Sequence, residues 1–460
     1  GLMPTVSYGS KLIGNRRFLE LTAKIYRKAV SYISGIALKH YDELVLITDS
    51  PDGFPAQKLR QSAVERLIHS TKSNKAKYEK FDQEFYKFPS YFRRDAITAG
   101  IGKAFSYRSM VDNWENNGKK GQKPSLNMRQ DVAPCFYRTV MFAQDGLSIS
   151  LKVYNGSDWV WADYRTCKTD YDYAQKNVYD WKVSAPVLVR KHGYYQLRTA
   201  YVLSSERFPR YVKDKDVSIA VGVDLGVNTD AVCSALLVDG TVIGQKFVNS
   251  PVEKDRMYGL LNCIKKAQQH GNRKNHRLWR FINNYQRAIA IRTACGIIGF
   301  AIRTGAKVIV FENFSFRGKK RGCKSRRQRL ALWRKRDIQH RVEEMGKQLG
   351  IRVSYICAKY TSQLAFDGSG QVIRGKKAGF KNDKLCRFTD GRIYNCDLSA
   401  SKNIGGRYFI RVLVKSIPVK ELLQIQAKVP EICRRTRSTL ASLISLYQEM
   451  YPICATVDVA

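Results

Sequence analysis

Three acidic residues are the part of this sequence best placed to carry out chemistry. Asp224 ends an apolar run at residues 218–223, Glu312 ends another at residues 306–311, and Asp397 stands at the start of a helix-like run. Carboxylates at the ends of buried strands are held rigidly, so acids from separate segments can meet at one point. Each acid alone could equally cap a turn or a helix. The order strand–Asp, strand–Glu, helix–Asp predicts one shared site.

Such a site would suit Mg²⁺, a hard cation that prefers oxygen ligands and keeps several waters. Two ions about 4 Å apart can activate the attacking water and stabilise the leaving oxygen of a phosphodiester. We therefore expect Asp224, Glu312 and Asp397 to bind two Mg²⁺ ions, for which Mn²⁺ can substitute. The predicted chemistry is hydrolysis of a nucleic-acid backbone.

The three acidic segments resemble the RuvC motifs of the TnpB proteins of insertion sequences and of compact type V CRISPR effectors. They are Val-Gly-Val-Asp-Leu-Gly-Val at 221–227, Val-Ile-Val-Phe-Glu-Asn at 308–313 and Asn-Cys-Asp-Leu-Ser-Ala at 395–400. The long basic stretch at 326–350 and Tyr-Thr-Ser-Gln at 360–363 are also similar to that family. The resemblance implies that all three acids are catalytic Mg²⁺ ligands in an RNase H-like (RuvC) core.

One departure from the family concerns its zinc-binding insert, which usually carries two Cys-x-x-Cys pairs before the third acid. Here residues 364–370 read Leu-Ala-Phe-Asp-Gly-Ser-Gly, and of the second pair only Cys386 remains. Tetrahedral Zn²⁺ needs four nitrogen or sulfur ligands, and Cys357, Cys386 and Cys396 lack the required spacing. We predict that structural zinc is lost and that something else holds the insert. The altered insert and extended C-terminus suggest a lineage between the transposon and CRISPR groups.

The elements around these motifs predict an α+β multidomain protein. Apolar residues recur at steps of three and four from Phe18 to Ala37, which is typical of a helix. After a loop at residues 116–127, a period of two predicts hairpins at Asp145-Gly146 and Lys191-His192-Gly193. The interpretation is an N-terminal β-barrel with a helical insertion, followed by a RuvC α/β nuclease domain with a degenerate zinc-finger-like insert. The predicted divisions are 1–15 (barrel start, behind a tag remnant), 16–115 (helical recognition domain), 116–216 (wedge-like β-barrel), 217–356 (RuvC core), 357–396 (degenerate zinc-ribbon-like insert) and 397–460 (third motif and C-terminal helices).

The charge of the chain predicts a polyanionic partner. Lys and Arg number 80 against 39 Asp and Glu, a formal charge of +41, and self-repulsion on that scale favours binding to nucleic acid. For each basic run, a solvated surface is the alternative, and Trp279 and Trp333 among them are expected in the core. The predicted nucleic-acid-binding residues are Lys119, Lys120, Lys265, Lys266, Arg273, Lys274, Arg277, Arg280, Lys319, Lys320, Arg321, Lys324, Arg326, Arg327 and Arg329.

The leading hypothesis is an RNA-guided DNA endonuclease, whose target is chosen by guide-RNA pairing and a short adjacent DNA motif. A non-cleaving RNA-guided repressor and an unguided RNase H-like nuclease or transposase remain as alternatives. Expected partners are guide RNA and double-stranded DNA, without a membrane, and a monomer is favoured over a dimer. The 11 scattered cysteines form no Cys-x-x-Cys pair and no apolar signal precedes them, which predicts a prokaryotic cytoplasmic protein.

Overall fold

The computed structural model shows an α+β protein and describes residues 5–126, 132–178, 180–202, 208–272, 274–313 and 326–452. The chain divides into two compact units, Gly1–Ser205 (unit 1) and Glu206–Ala460 (unit 2). No helix among the described residues is long and apolar enough to cross a membrane.

Unit 1 combines a curled, antiparallel half-barrel sheet with a group of helices. Its strands lie in the order β2-β3-β4-β1-β7-β5, and β6 pairs with β7. The strands are β1 (Thr5–Ile13), β2 (Phe142–Asp145), β3 (Ser148–Tyr154), β4 (Trp159–Thr166), β5 (Lys182–Val183), β6 (Val187–Lys191) and β7 (Tyr194–Val202). The helices are α1 (Arg16–Lys39), α2 (Tyr41–Val45), α3 (Ala56–Ile68), α4 (Lys80–Glu84), α5 (Ser90–Asn116) and α6 (Lys168–Val178).

Both hairpins predicted in unit 1 are confirmed, by the pairs Asp145–Ser148 and Lys191–Tyr194. The first strand of the first hairpin begins only at Phe142, and Thr139, three residues before it, has a φ of 66° that interrupts an extended backbone. Helix α3 ends at Ile68, and just after it the Asp82 carboxylate accepts hydrogen bonds from the Ser70 amide and the His69 ring.

Unit 2 is built on a mixed sheet in the order β10-β9-β8-β11-β12, which is consistent with a RuvC-like domain. β9 pairs antiparallel with β8 and β10, whereas β11 is parallel to both β8 and β12. The strands are β8 (Ile219–Asp224), β9 (Ala231–Leu237), β10 (Val242–Val248), β11 (Val308–Asn313), β12 (Arg352–Cys357), and in the insert β13 (Ile373–Arg374), β14 (Leu385–Arg387) and β15 (Ile393–Asn395). The helices are α7 (Pro251–Gln269), α8 (His276–Thr304), α9 (Arg326–Leu349), α10 (Cys396–Ser416), α11 (Val419–Lys428) and α12 (Leu440–Met450).

The central sheet of unit 2 is covered on both faces. Val221, Ile309 and Phe311 pack in a core with residues of α8 and α9, whereas Ala220 and Val310 pack in a core with residues of α10 and α12. Successive side chains of a strand point to opposite faces, so residues 220, 222 and 224 share the face covered by α10. Residues 308, 310 and 312 of β11 share it as well. The C-terminal residues Leu440, Leu443 and Leu446 are buried in this core.

Candidate active site

Two of the predicted acids leave neighbouring parallel strands on the same face of the sheet. β8 and β11 pair in the register Ala220–Val308 to Gly222–Val310. Continuing that register sets Asp224 beside Glu312 at the carboxyl ends of the strands. Neighbouring strands lie about 4.8 Å apart, so the two carboxylates are close, and both residues remain partly exposed to solvent.

The third acid comes from the first turn of α10. The Asn395 side chain caps this helix by accepting a hydrogen bond from the Leu398 amide at 2.9 Å. Asp397 lies in that first turn and is also partly exposed. Because α10 covers the face that carries Asp224 and Glu312, its N-terminal turn brings Asp397 to the same edge of the sheet.

The electrostatics of Asp224 show that these acids interact. Burial raises the pKa of Asp224 well above its usual range, and the neighbouring charges of Glu312 and Asp397 raise it further. Lys335 and Arg374 oppose this rise. Burial and the two neighbouring acids therefore disfavour the charged form of Asp224, and a bound cation would stabilise it.

The other two carboxylates have partial compensation. Burial raises the pKa of Glu312, while a hydrogen bond from the Thr361 hydroxyl and the charges of Lys335 and Arg407 lower it. Burial also raises the pKa of Asp397, against the charges of Arg374, Lys335 and Lys384. The site thus consists of three acidic side chains surrounded by basic side chains.

The donor set fits divalent cations, although the side chains do not form a closed ligand set. Within the described residues, no three or more His, Cys, Asp or Glu side chains are grouped so that they could hold a metal ion as they stand. The three acids nevertheless offer the oxygen donors that Mg²⁺ prefers. Their mutual repulsion and raised pKa values are what a bound divalent cation would relieve.

Sequence reasoning missed several residues that contribute to this site. Lys335 lies on α9, one turn before Gln339, whose side chain donates to the Glu312 carbonyl oxygen at 3.0 Å. The two residues share a helix face that is directed at the end of β11. Arg374 belongs to the insert and donates to the Ser362 hydroxyl at 3.1 Å. Position 335 could have been suspected only from helical spacing, and position 374 had no sequence signal.

The insert contains a small aromatic core where the family has zinc. The rings of Phe366, Phe388 and Tyr394 lie with centroids 5.0–5.9 Å apart. Cys386 and Cys396 are buried in the same cluster, whereas Cys357 is exposed. Lys402 of α10 reaches into this core, with its ammonium 4.0 Å from the centroid of Phe366. Aromatic packing and hydrogen bonds hold these strands together.

The predicted nucleic-acid-binding residues of the described segments lie on the surface. They are exposed at Lys119, Lys120, Lys265, Lys266, Lys274, Arg277, Arg280 and Arg329. The remaining predicted positions lie outside the described residues or, for two in α9, have undescribed side chains: Arg273, Lys319, Lys320, Arg321, Lys324, Arg326 and Arg327.

The core position expected for the two tryptophans is correct for only one of them. Trp279 packs against the cluster of Met257, Leu261 and Ile282. Trp333 is 52% exposed, because Ala331 and Arg334 take the buried side of α9. The expectation for Trp333 is therefore wrong.

The sequence comparisons agree with the motifs. The Aq_aa04 family matches residues 5–155. Over 240 residues the chain is 29% identical to a TnpB-like protein of Aquifex aeolicus (strain VF5), a match that covers 48% of this chain and 76% of the relative. The chain is similar to TnpB-like proteins. The resemblance inferred from the three acidic motifs is thereby confirmed.

Comparison with solved structures gives more distant similarities. The mini-RNA-guided endonuclease CRISPR-Cas_phi3 has a TM-score of 0.47 and 9% identity, over 90% of this chain and 93% of that one. The Cas12f1–sgRNA–target DNA complex has a TM-score of 0.31 and 13% identity, over 87% of this chain and 98% of that one.

Proposed function

We propose that this chain is an RNA-guided DNA endonuclease whose catalytic site is formed by Asp224, Glu312 and Asp397. The observation that carries the proposal is the shared register of β8 and β11, which sets two acids side by side under the helix that bears the third. A group of three interacting, half-buried carboxylates has no evident use in packing. It is the donor chemistry that phosphodiester hydrolysis by two Mg²⁺ ions requires.

In this proposal the three carboxylates hold the metal ions through their oxygens. The bound ions would supply the positive charge that lowers the pKa of the attacking water and stabilises the leaving oxygen. The chain's own cations serve a different purpose. Lys335 and Arg374 lower the pKa values of Asp224 and Asp397 and so favour the ionised carboxylates, as a bound metal ion would.

Guidance by RNA rests on sequence similarity and on charge. The relative in Aquifex aeolicus is a TnpB-like protein. The segments that resemble this family in sequence include the three acids and residues 360–363 before the insert. The formal charge of +41 suits a long polyanion, and the exposed lysines and arginines of α7 and α8 can contact phosphates without sequence preference. Base pairing with the guide would then select the target, next to a short DNA motif read by the protein.

The test is to purify the chain with its native flanking locus, sequence the RNA that copurifies, and supply DNA complementary to its variable end. Mg²⁺-dependent cutting of the matched DNA, lost in Asp224→Asn and in EDTA, is expected. A matched DNA that is bound but never cut would instead favour a non-cleaving repressor. Cutting without any discrete RNA would favour an unguided nuclease.

A further inference from the structure

Thr361 directly contacts one of the proposed catalytic carboxylates. Its side-chain hydroxyl donates to a carboxylate oxygen of Glu312, and Thr361 is 1% exposed. The hydroxyl also lies 2.9 Å from the Ala358 carbonyl oxygen. The hydroxyl has a single proton, so it can donate to only one of these two oxygens at a time. Donation to Glu312 also requires that the backbone of Thr361 is held in place.

The backbone of Thr361 is held by Asn403 on α10. The Asn403 amide group donates to the carbonyl oxygens of Thr361 at 3.0 Å and of Leu364 at 2.8 Å. Its side-chain oxygen accepts from the backbone amide of Leu440 at 3.1 Å. Asn403 is fully buried, and this one side chain joins the start of the insert to the start of α12.

A second side chain of α10 makes the same connection one turn later. The Arg407 guanidinium donates to the carbonyl oxygens of Cys357 and Lys359, at 2.7 and 2.9 Å. It also donates to the carbonyl oxygens of Ser438 and Thr436, at 2.9 and 3.0 Å. Hydrogen bonds from two adjacent turns of α10 therefore hold residues 357–361 next to residues 436–440, the C-terminal segment.

The C-terminal segment also touches the residue before Thr361. The guanidinium of Arg437 lies 4.6 Å from the ring centroid of Tyr360, and Tyr360 has a φ of 65°. A left-handed backbone is uncommon for a bulky residue and persists only where surrounding contacts enforce it. These contacts come from residues 436–440 and from α10.

We infer that Thr361 is a positioning residue for Glu312, and that Asn403 and Arg407 make its position depend on docking of the C-terminal segment, residues 436–440. The inference rests on the proposed function, since Glu312 matters only if it binds metal. It assigns the C-terminal extension a part in preparing the nuclease site. Partners that orient a metal ligand typically change activity or metal affinity by about 10–100-fold when removed.

The first experiment tests the hydrogen bond from the Thr361 hydroxyl independently of the volume of the side chain. Thr361→Val removes the donor at nearly constant volume, and Thr361→Ser restores it. Thr293→Val is the matched control, because Thr293 is also buried and its hydroxyl donates to the Ile289 carbonyl oxygen of its own helix, at 2.8 Å. We expect Thr361→Val to lower kcat and Mn²⁺ affinity by about 10–100-fold with an unchanged KM for DNA, and Thr361→Ser to recover most of both.

The second experiment removes the contact with the C-terminal segment. Leu440 is the first residue of α12 and its amide donates to Asn403. Proline is tolerated at a first helical position and has no amide proton, so Leu440→Pro deletes that bond. Leu440→Val is the control, because it loses side-chain packing but keeps the donor. We expect Leu440→Pro to weaken Mn²⁺ binding several-fold relative to Leu440→Val, and to add little in a Thr361→Val background.

Binding of Mn²⁺, followed by electron paramagnetic resonance, keeps the two proposals distinguishable. If the wild-type chain binds Mn²⁺ but never cuts guided DNA, the proposed function fails while the Mn²⁺ affinities still test the role of Thr361. If the wild type cuts and Thr361→Val both cuts and binds Mn²⁺ like the wild type, the role of Thr361 is overturned. Equal Mn²⁺ affinities of Leu440→Pro and Leu440→Val would overturn the part assigned to the C-terminal segment.

Discussion

Gly222 of β8 faces Gly405 of α10 so closely that a Cβ atom on Gly222 would lie 2.5 Å from the Gly405 nitrogen. Gly405 is equally constrained, since a Cβ there would meet the Leu236 side chain at 2.5 Å. The obstructing atom at Gly222 is backbone and cannot rotate away. These two glycines therefore set the distance between α10 and the sheet, and with it the position of Asp397 relative to Asp224.

The first prediction follows from that close approach of helix and sheet. Gly222→Ala should push α10 away from the sheet. The overpacking should destabilise unit 2 by about 1–3 kcal/mol. The misplacement of Asp397 should slow DNA cutting by about 100-fold. Gly259→Ala is the control, because Gly259 has open space around it on α7 and should be neutral or slightly stabilising. Thermal unfolding and single-turnover cleavage measure the two effects. Normal cleavage by Gly222→Ala would contradict the role assigned to this glycine.

A second prediction concerns the charge of Asp224. In EDTA, Asp224→Asn should unfold at a temperature equal to or above that of the wild type, because it replaces a carboxyl group whose charged form is disfavoured by burial and by two neighbouring acids. The same variant should not cleave DNA. Asp216→Asn, at an exposed position, should change neither property. A marked loss of stability in Asp224→Asn would mean that Asp224 has a structural role instead.

The third prediction concerns the pH dependence of unit 1. Burial raises the pKa of Asp95, although its carboxylate accepts hydrogen bonds from the Tyr26 hydroxyl at 2.5 Å and the Cys135 amide at 3.2 Å. Because the pKa of Asp95 is raised in the folded state, its protonated form contributes to the stability of the fold. This contribution is complete below the pKa of an unfolded aspartate, about 3.9. This contribution is lost as the pH rises through the folded-state value.

The side chain introduced by Asp95→Asn cannot titrate. The melting temperature of the variant should therefore increase relative to that of the wild type as the pH rises from about 4. Tyr26→Phe serves as the comparison. It removes a hydrogen bond that lowers the pKa of Asp95, so the destabilisation should extend to higher pH. Melting curves of the three proteins between about pH 4 and 8 decide this. Parallel curves for wild type and Asp95→Asn would show that Asp95 does not titrate in this range.

The parts of the fold that sequence alone predicts are those with local periodicity. The strands that carry Asp224 and Glu312 at or near their ends and the helix that begins beside Asp397 are present, because buried strands and a capped helix start leave clear local patterns. The effect of Lys335 and Arg374 on the pKa values of the three acids depends on how α9 and the insert pack next to the acidic site. Nothing in their neighbouring residues distinguishes them from the many other basic residues of the chain.

Sequence patterns mislead where tertiary contacts override them. Tryptophan is large and apolar, which favours a core position for Trp333, but α9 turns Arg334 inward and leaves Trp333 exposed. Arg334 donates to Gln286 at 2.8 Å and lies 3.7 Å from the buried carboxylate of Asp230. A buried ion pair between segments about a hundred residues apart has no signature in sequence spacing.

The fourth prediction concerns the expected absence of zinc from the insert. Metal analysis of the purified protein should find well below one equivalent of zinc, and dialysis against EDTA should leave the insert resistant to proteolysis. Phe388→Ala should cost about 3–5 kcal/mol, the usual range for a buried phenylalanine, and make residues 357–396 sensitive to protease. Phe380→Ala, outside the aromatic core, should have a smaller effect. Zinc at one equivalent that survives dialysis would contradict the loss of the metal site.

The last prediction concerns the exposed lysines of α7. If Lys265 and Lys266 bind phosphates, replacing both with glutamine should weaken nucleic-acid binding and make it less sensitive to salt. The slope of log K against log salt should fall in magnitude by about 0.7 for each single-strand phosphate that is no longer neutralised, or about 0.9 for duplex DNA. Lys420→Gln is the control, because Lys420 is exposed on α11 and is not among the predicted nucleic-acid-binding residues. Binding measured from about 50 to 200 mM salt gives the slopes. A double variant with the wild-type slope would show that these lysines are only a solvated surface, and that the excess positive charge binds nucleic acid elsewhere.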